Sequence, residues 1–150
     1  MKYRFIILVL ALSFSSAAYA ADPVSEFTRA EKKVGGLTKH FKESLFSKTE
    51  KGLFSVELLI GGKKLTTGEN KIDLVIHDSK GTDVEGADVR VGVSPAVQGA
   101  ATEEIAGDKG GGLYRINGIR AEERSTQLVV KVRKGKAEDI AVFDLSGPKP

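Results

Sequence analysis

From Gly52 onward the chain keeps a period of two, and this pattern limits the possible folds more than any other feature. Phe54, Val56, Leu58 and Ile60 share one side of an extended segment, with Ser55 and Glu57 on the other. Ile72, Leu74 and Ile76 alternate with Lys71, Asp73 and His77, and Ala87, Val89, Val91 and Val93 with Asp88 and Arg90. Tyr114, Ile116 and Gly118 open a further segment, Leu128, Val130 and Val132 follow, and Ile140 to Leu145 closes the series. Successive side chains of a strand point to opposite faces, so each run predicts a strand with one buried and one polar face. Turn residues separate the runs: Gly61-Gly62-Lys63, Asp78-Ser79-Lys80-Gly81, Asp108 to Gly112 and Lys134-Gly135-Lys136. Thr102 to Ile105 fits a short edge strand. The expected fold is all-β, an immunoglobulin-like antiparallel β-sandwich of about seven strands over residues 52–146, with a small closed barrel as the alternative. Residues 147–150, Gly-Pro-Lys-Pro, form a tail.

The residues before Gly52 obey other rules. Met1-Lys2-Tyr3-Arg4 is basic, Phe5 to Phe14 is almost wholly apolar, and Ala18-Tyr19-Ala20 is a small-x-small site. These are the three parts of a secretory signal peptide over residues 1–20, which implies a periplasmic or secreted chain starting at Ala21. Loss of Lys2 and Arg4 lowers the formal charge from +3 to +1, so the basic character of the full chain is no argument for nucleic acid. There is no cysteine and the only methionine is Met1, so the exported chain has no disulfide, no lipid-anchoring cysteine and no soft sulfur ligand. No second apolar run is long enough for a transmembrane anchor. Residues 21–51 lack strand alternation; Phe27, Ala30 and Val34 fall at helical spacing, as do Leu37, Phe41 and Leu45. Gly35-Gly36 separates the two groups. The spacing predicts a short helical or flexible arm and linker.

The order of several pieces within Gly52–Leu145 resembles the YtkA-like domain, an exported β-sandwich that is also similar to the periplasmic part of FixH proteins. The pieces are Gly52-Leu53-Phe54-Ser55-Val56, Gly68-Glu69-Asn70, the run from Asp78 to Val89, Gly112-Leu113-Tyr114 and Val130-Lys131-Val132. The resemblance implies an immunoglobulin-like sandwich and, for members with a Met-rich segment, copper or other heavy-metal handling. Here that segment reads Val93-Ser94-Pro95-Ala96-Val97-Gln98-Gly99, without Met, so the fold carries over and the soft-metal chemistry does not.

Candidate chemistry is sparse. His77 and Asp78, with Asp83 and Glu85 close by, are the candidate ligands for a borderline metal ion; the parity of His77 with Lys71 and Asp73 instead predicts a solvent-facing imidazole. His40 lies apart, in the arm. Asp78 to Asp83 has only fragments of a calcium loop and reads as a turn. Gly107 to Gly112 lacks the Gly-Lys-Ser/Thr and the helix of a phosphate loop. Glu103-Glu104 and Glu122-Glu123 are adjacent in sequence, so their carboxylates diverge on a strand. No nucleophile motif is present, and Tyr114 in Gly112-Leu113-Tyr114 reads as structural, after the tyrosine corner of immunoglobulin-like domains. The expected function is that of a non-enzymatic envelope binding or accessory module without a cofactor. It would recognise a protein partner, with the loops around Val93–Thr102 and Arg120–Ser125 as contacts. Metal handling through His77 and Asp78 is the alternative, and a small-molecule carrier the next.

Overall fold

The computed structural model describes residues 27–99 and 103–146. The expected signal peptide and the C-terminal tail lie outside them. The strands are β1 (Arg29–Val34), β2 (Leu37–Phe41), β3 (Leu45–Lys48), β4 (Phe54–Leu59), β5 (Gly68–Asp78) and β6 (Asp88–Ser94). They continue with β7 (Glu104–Ile105), β8 (Gly107–Asp108), β9 (Leu113–Ala121), β10 (Gln127–Lys134) and β11 (Ala137–Asp144). All pair antiparallel, in a five-stranded sheet β3-β4-β5-β9-β8, a four-stranded sheet β11-β10-β6-β7, and a separate hairpin β1-β2. The order β4-β5-β9-β8 opposite β6-β10-β11 is that of an immunoglobulin-like sandwich, with β3 and β7 added at its margins.

The alternating residues build the core as their parity predicts. Val56, Leu58, Leu74 and Ile76 from one sheet meet Val89, Val91, Leu128, Val130 and Val132 from the other, all inaccessible to solvent. The same cluster holds Tyr114, whose ring is fully buried and whose hydroxyl donates to Val84 O (2.8 Å) and accepts from Ala87 N–H (3.0 Å). A single side chain thus pins the β5–β6 connection to the start of β9. It is structural, as expected, although its bond reaches back thirty residues, whereas the bond of a tyrosine corner spans only a few. Gly112 allows this approach: its φ is +73°, and a Cβ there would stand 2.7 Å from Ile76 O. At the opposite margin Asp139 is buried and accepts from the amides of Lys51, Leu53 and Ile140, fixing the β3–β4 turn against β11.

The helical arm is not what forms. Residues 29–48 are three strands: β3 extends the main sheet beside β4, and β1 and β2 make a hairpin. Gly35 and Gly36 both have positive φ (56° and 85°), the geometry of the two-residue hairpin turns whose twist matches the flanking strands. The glycine pair that would interrupt a helix closes a hairpin, with Val34 opposite Leu37.

Candidate functional site

The hairpin lies on the outer face of the five-stranded sheet and changes the environment of every residue beneath it. Phe41 joins Leu59 and Val75 in a second apolar cluster, bordered by Phe27 and Leu113. This cluster is outside the sandwich core, on the face that the alternation assigns to solvent. Ser55, Glu57, Asp73 and His77, which share that face, are all buried. The solvent-facing imidazole expected at His77 is therefore not observed, because β2 covers it.

Burying a carboxylate is costly unless its oxygens are satisfied. Glu57 is 1% exposed and accepts from the amides of His40 (2.9 Å) and Phe41 (2.7 Å), from the Ser44 hydroxyl, and from His40 Nδ1 (3.2 Å). Its acceptors thus serve donors at the end of β2 and in the following turn. The result is a clamp: one side chain of β4 ties the hairpin to the sheet. Asp73 is satisfied differently, by the Arg115 guanidinium across the β5–β9 pair at 2.7 Å.

The same seam brings together the two histidines. The His40 and His77 rings stack with centroids 4.9 Å apart and planes 28° from parallel. His77 Nε2 lies 3.0 Å from an Asp83 carboxylate oxygen. Burial and, next, the adjacent His40 hold His77 below the ordinary histidine range, and Asp83 only partly counters them. An open cleft of about 300 Å³ borders this stack, lined by Arg29, His40, Phe41, His77, Asp83 and Leu113 among others. A larger cleft, about 470 Å³, lies on the same sheet beside Phe27, Leu59, Lys64, Asp73 and Arg115. Both are on the outside of the sheet, not between the two sheets.

The structure separates the two candidate metal ligands. His77 turns to Asp83, whereas Asp78 caps its own turn, accepting from Lys80 N–H (2.8 Å) and Thr82 N–H (2.9 Å). The Thr82 bond and then the Lys80 bond hold its carboxyl below the usual range, as in the expected turn. Among the described residues no group of three or more His, Asp or Glu side chains converges to hold a metal ion. Ser55 stands opposite His77 in the β4–β5 register, and its buried hydroxyl makes no hydrogen bond. Glu103 pairs with Lys131 and Glu122 with Arg124, so neither adjacent carboxylate pair acts together. The two loops expected to make contacts do meet at one end of the sandwich: the Ser125 hydroxyl donates to Pro95 O at 3.3 Å, and Thr126 N–H to Ser94 O at 3.0 Å.

Sequence reasoning missed Glu57 and the pairing of His40 with His77. The available signal was Gly35-Gly36, a pair suited to a two-residue hairpin turn, outweighed by the helical spacing of Phe27, Ala30 and Val34.

Fold and site together define an all-β sandwich with one sheet face clad by a hairpin. No helix among the described residues is long and apolar enough to cross a membrane. Comparison with family models, with curated proteins and with solved structures finds no match. The resemblance to the YtkA-like domain therefore rests on the residues quoted for it.

Proposed function

We propose that the chain is a non-enzymatic binding module of the cell envelope that recognises a protein partner through its hairpin-clad face. One observation carries this reading: β1 and β2 form a two-stranded sheet of their own, so among the described residues β1 has no strand on its outer side. An unclaimed strand edge is a common docking element for an extended peptide, which adds backbone hydrogen bonds and side-chain contacts together. The hairpin is held for this purpose rather than left loose, because Glu57 and the Phe41 cluster anchor β2 and leave β1 outward. Burial agrees, since the β1 residues from Arg29 to Lys33 are all exposed. The signal-peptide pattern supports an envelope setting.

The test is a photo-crosslinking amino acid placed at Lys33 on β1 or, separately, at Val142 on the outer face of the opposite sheet, in cells that export the chain. The proposal expects a discrete adduct from Lys33 and none from Val142. No adduct from Lys33, or the same adduct from both positions, would overturn it.

A further inference from the structure

The positive charge of this protein is unevenly placed. Residues 27–51 carry Arg29, Lys32, Lys33, Lys39, Lys42, Lys48 and Lys51 against Glu31, Glu43 and Glu50. That excess is larger than the +1 left once Lys2 and Arg4 are gone, so the remainder of the exported chain is slightly acidic. Most of the excess sits on the hairpin.

Within the hairpin, cations stand beside one another. Lys32 and Lys39 are direct cross-strand partners, a placement that costs stability for like charges. Lys39 is half-buried and gives its ammonium protons to the carbonyls of Lys42 (3.3 Å) and Ser44 (2.5 Å). Burial first, and then the approach of Lys63 and Lys32, lower its pKa from the ordinary lysine value, with Glu57 opposing. Lys63 belongs to the β4–β5 connection, outside the hairpin. Lys33 bonds to Thr38 Oγ1 and Lys48 to Gly35 O, again without an acid. Among the described residues, Arg29 is the one hairpin cation in an ion pair, a loose 3.8 Å contact to exposed Glu31.

The opposite outer face shows what a self-neutralised surface looks like in the same molecule. There Arg90 and Arg133 share Asp88, and Lys131 takes Glu103. A crowd of cations with a single loose ion pair among the described residues, around an open strand edge, is unfavourable in the free protein and becomes favourable when anions arrive. Lysines along an edge also discourage pairing with a second copy of the same basic strand. The incoming strand must therefore be acidic. The patch contains Glu31 and Glu43 among its cations, a mixed pattern that a discrete polypeptide can match and a uniformly anionic bilayer cannot. The large exposed apolar side chains, Leu53, Ile105 and Val142, all lie away from the hairpin, which thus offers no such anchor for insertion into lipid.

Resting on the recognition role proposed for the hairpin, we infer that β1, with its Lys32 and Lys33 and the facing Lys39, docks an acidic, extended segment of the partner protein. The segment lies along β1 with its carboxylates over these lysines.

The experiment measures fluorescence anisotropy of a short labelled peptide of alternating Glu and Thr, titrated with the chain from Ala21. Vesicles of phosphatidylglycerol and phosphatidylcholine form a second arm. The inference expects saturable peptide binding that weakens with salt, and a loss of about tenfold or more for Lys32→Glu combined with Lys33→Glu. Lys131→Glu, on the self-neutralised face, should change binding by less than about twofold. Absence of peptide binding, an equal loss from Lys131→Glu, or binding to vesicles but not to peptide would each overturn it. A Lys33 crosslink that persists when the peptide does not bind would remove the acidic partner and leave the recognition role standing.

Discussion

The two outer faces of the sandwich start from the same sequence rule and end in opposite environments. On the four-stranded sheet, Asp88, Arg90, Lys131, Arg133 and Glu138 alternate with core residues and border an open, shallow depression. Asp88 is held below the usual carboxylate range, by Arg90 first and also by Arg133. On the five-stranded sheet the equivalent polar positions, Ser55, Glu57, Asp73 and His77, are sealed beneath a hairpin or paired across the sheet. Alternation specifies which side of a strand a residue occupies. Whether that side meets water depends on what packs there, and this is decided by residues far away in sequence, here Leu37–Phe41.

The comparison makes a graded set of expectations. Glu57→Ala removes an acceptor from two amides and a hydroxyl at the seam, and should cost about 3 kcal/mol by denaturant unfolding. A loss below about 0.5 kcal/mol would mean that the covered face is no better tied down than the open one. Gly112→Ala forces a Cβ towards Ile76 O at a positive φ and should destabilise by about 2 kcal/mol, since a carbonyl within a sheet has little room to move. An unchanged midpoint would show that the β5–β9 end relaxes freely.

Acidification should separate the faces further. His77 has a depressed pKa in the closed hairpin, so the open form binds more protons; closure is full above the ordinary histidine range of about 6.5 and weakens as pH falls through it. The weakening levels off once His77 protonates in the closed form as well. The groups facing His77 are His40 on β2, Glu57 on β4 and Asp83 on the β5–β6 connection, with Arg29 of β1 across the cleft. Melting temperature measured from pH 8 to pH 5 should fall less in His77→Gln than in the parent; identical profiles would exclude His77 as the source. The smallest effect belongs to the open face, where Lys131→Ala should move the melting temperature by less than about 2 °C. A larger shift would show that the ion pairs there hold the sheet together.

Most of the sandwich was legible because the Val and Ile positions after Gly52 mostly alternate and Gly- or Asp-rich turns divide them. The edge strand near Ile105, the Asp78 turn and the structural Tyr114 were readable for the same local reasons. The hairpin was not, since Phe27, Ala30 and Val34 also satisfy a helical period over a short window, and only the twist demanded by two left-handed glycines decides against it. The site was hidden for a different reason. Glu57 and His77 occupy ordinary polar-face positions, and nothing local in either strand reveals that His40 and Phe41 will cover them. The expected metal pair failed to converge because neighbours on a strand diverge, sending His77 to Asp83 and Asp78 into its own turn.

The central claim is that the hairpin is clamped onto the sheet rather than carried as a loose arm. Amide hydrogen exchange at neutral pH tests it most directly. The account predicts that the His40 and Phe41 amides, which donate to Glu57, exchange as slowly as those of β4. Exchange at the rate of an open loop, with β4 still protected, would contradict it.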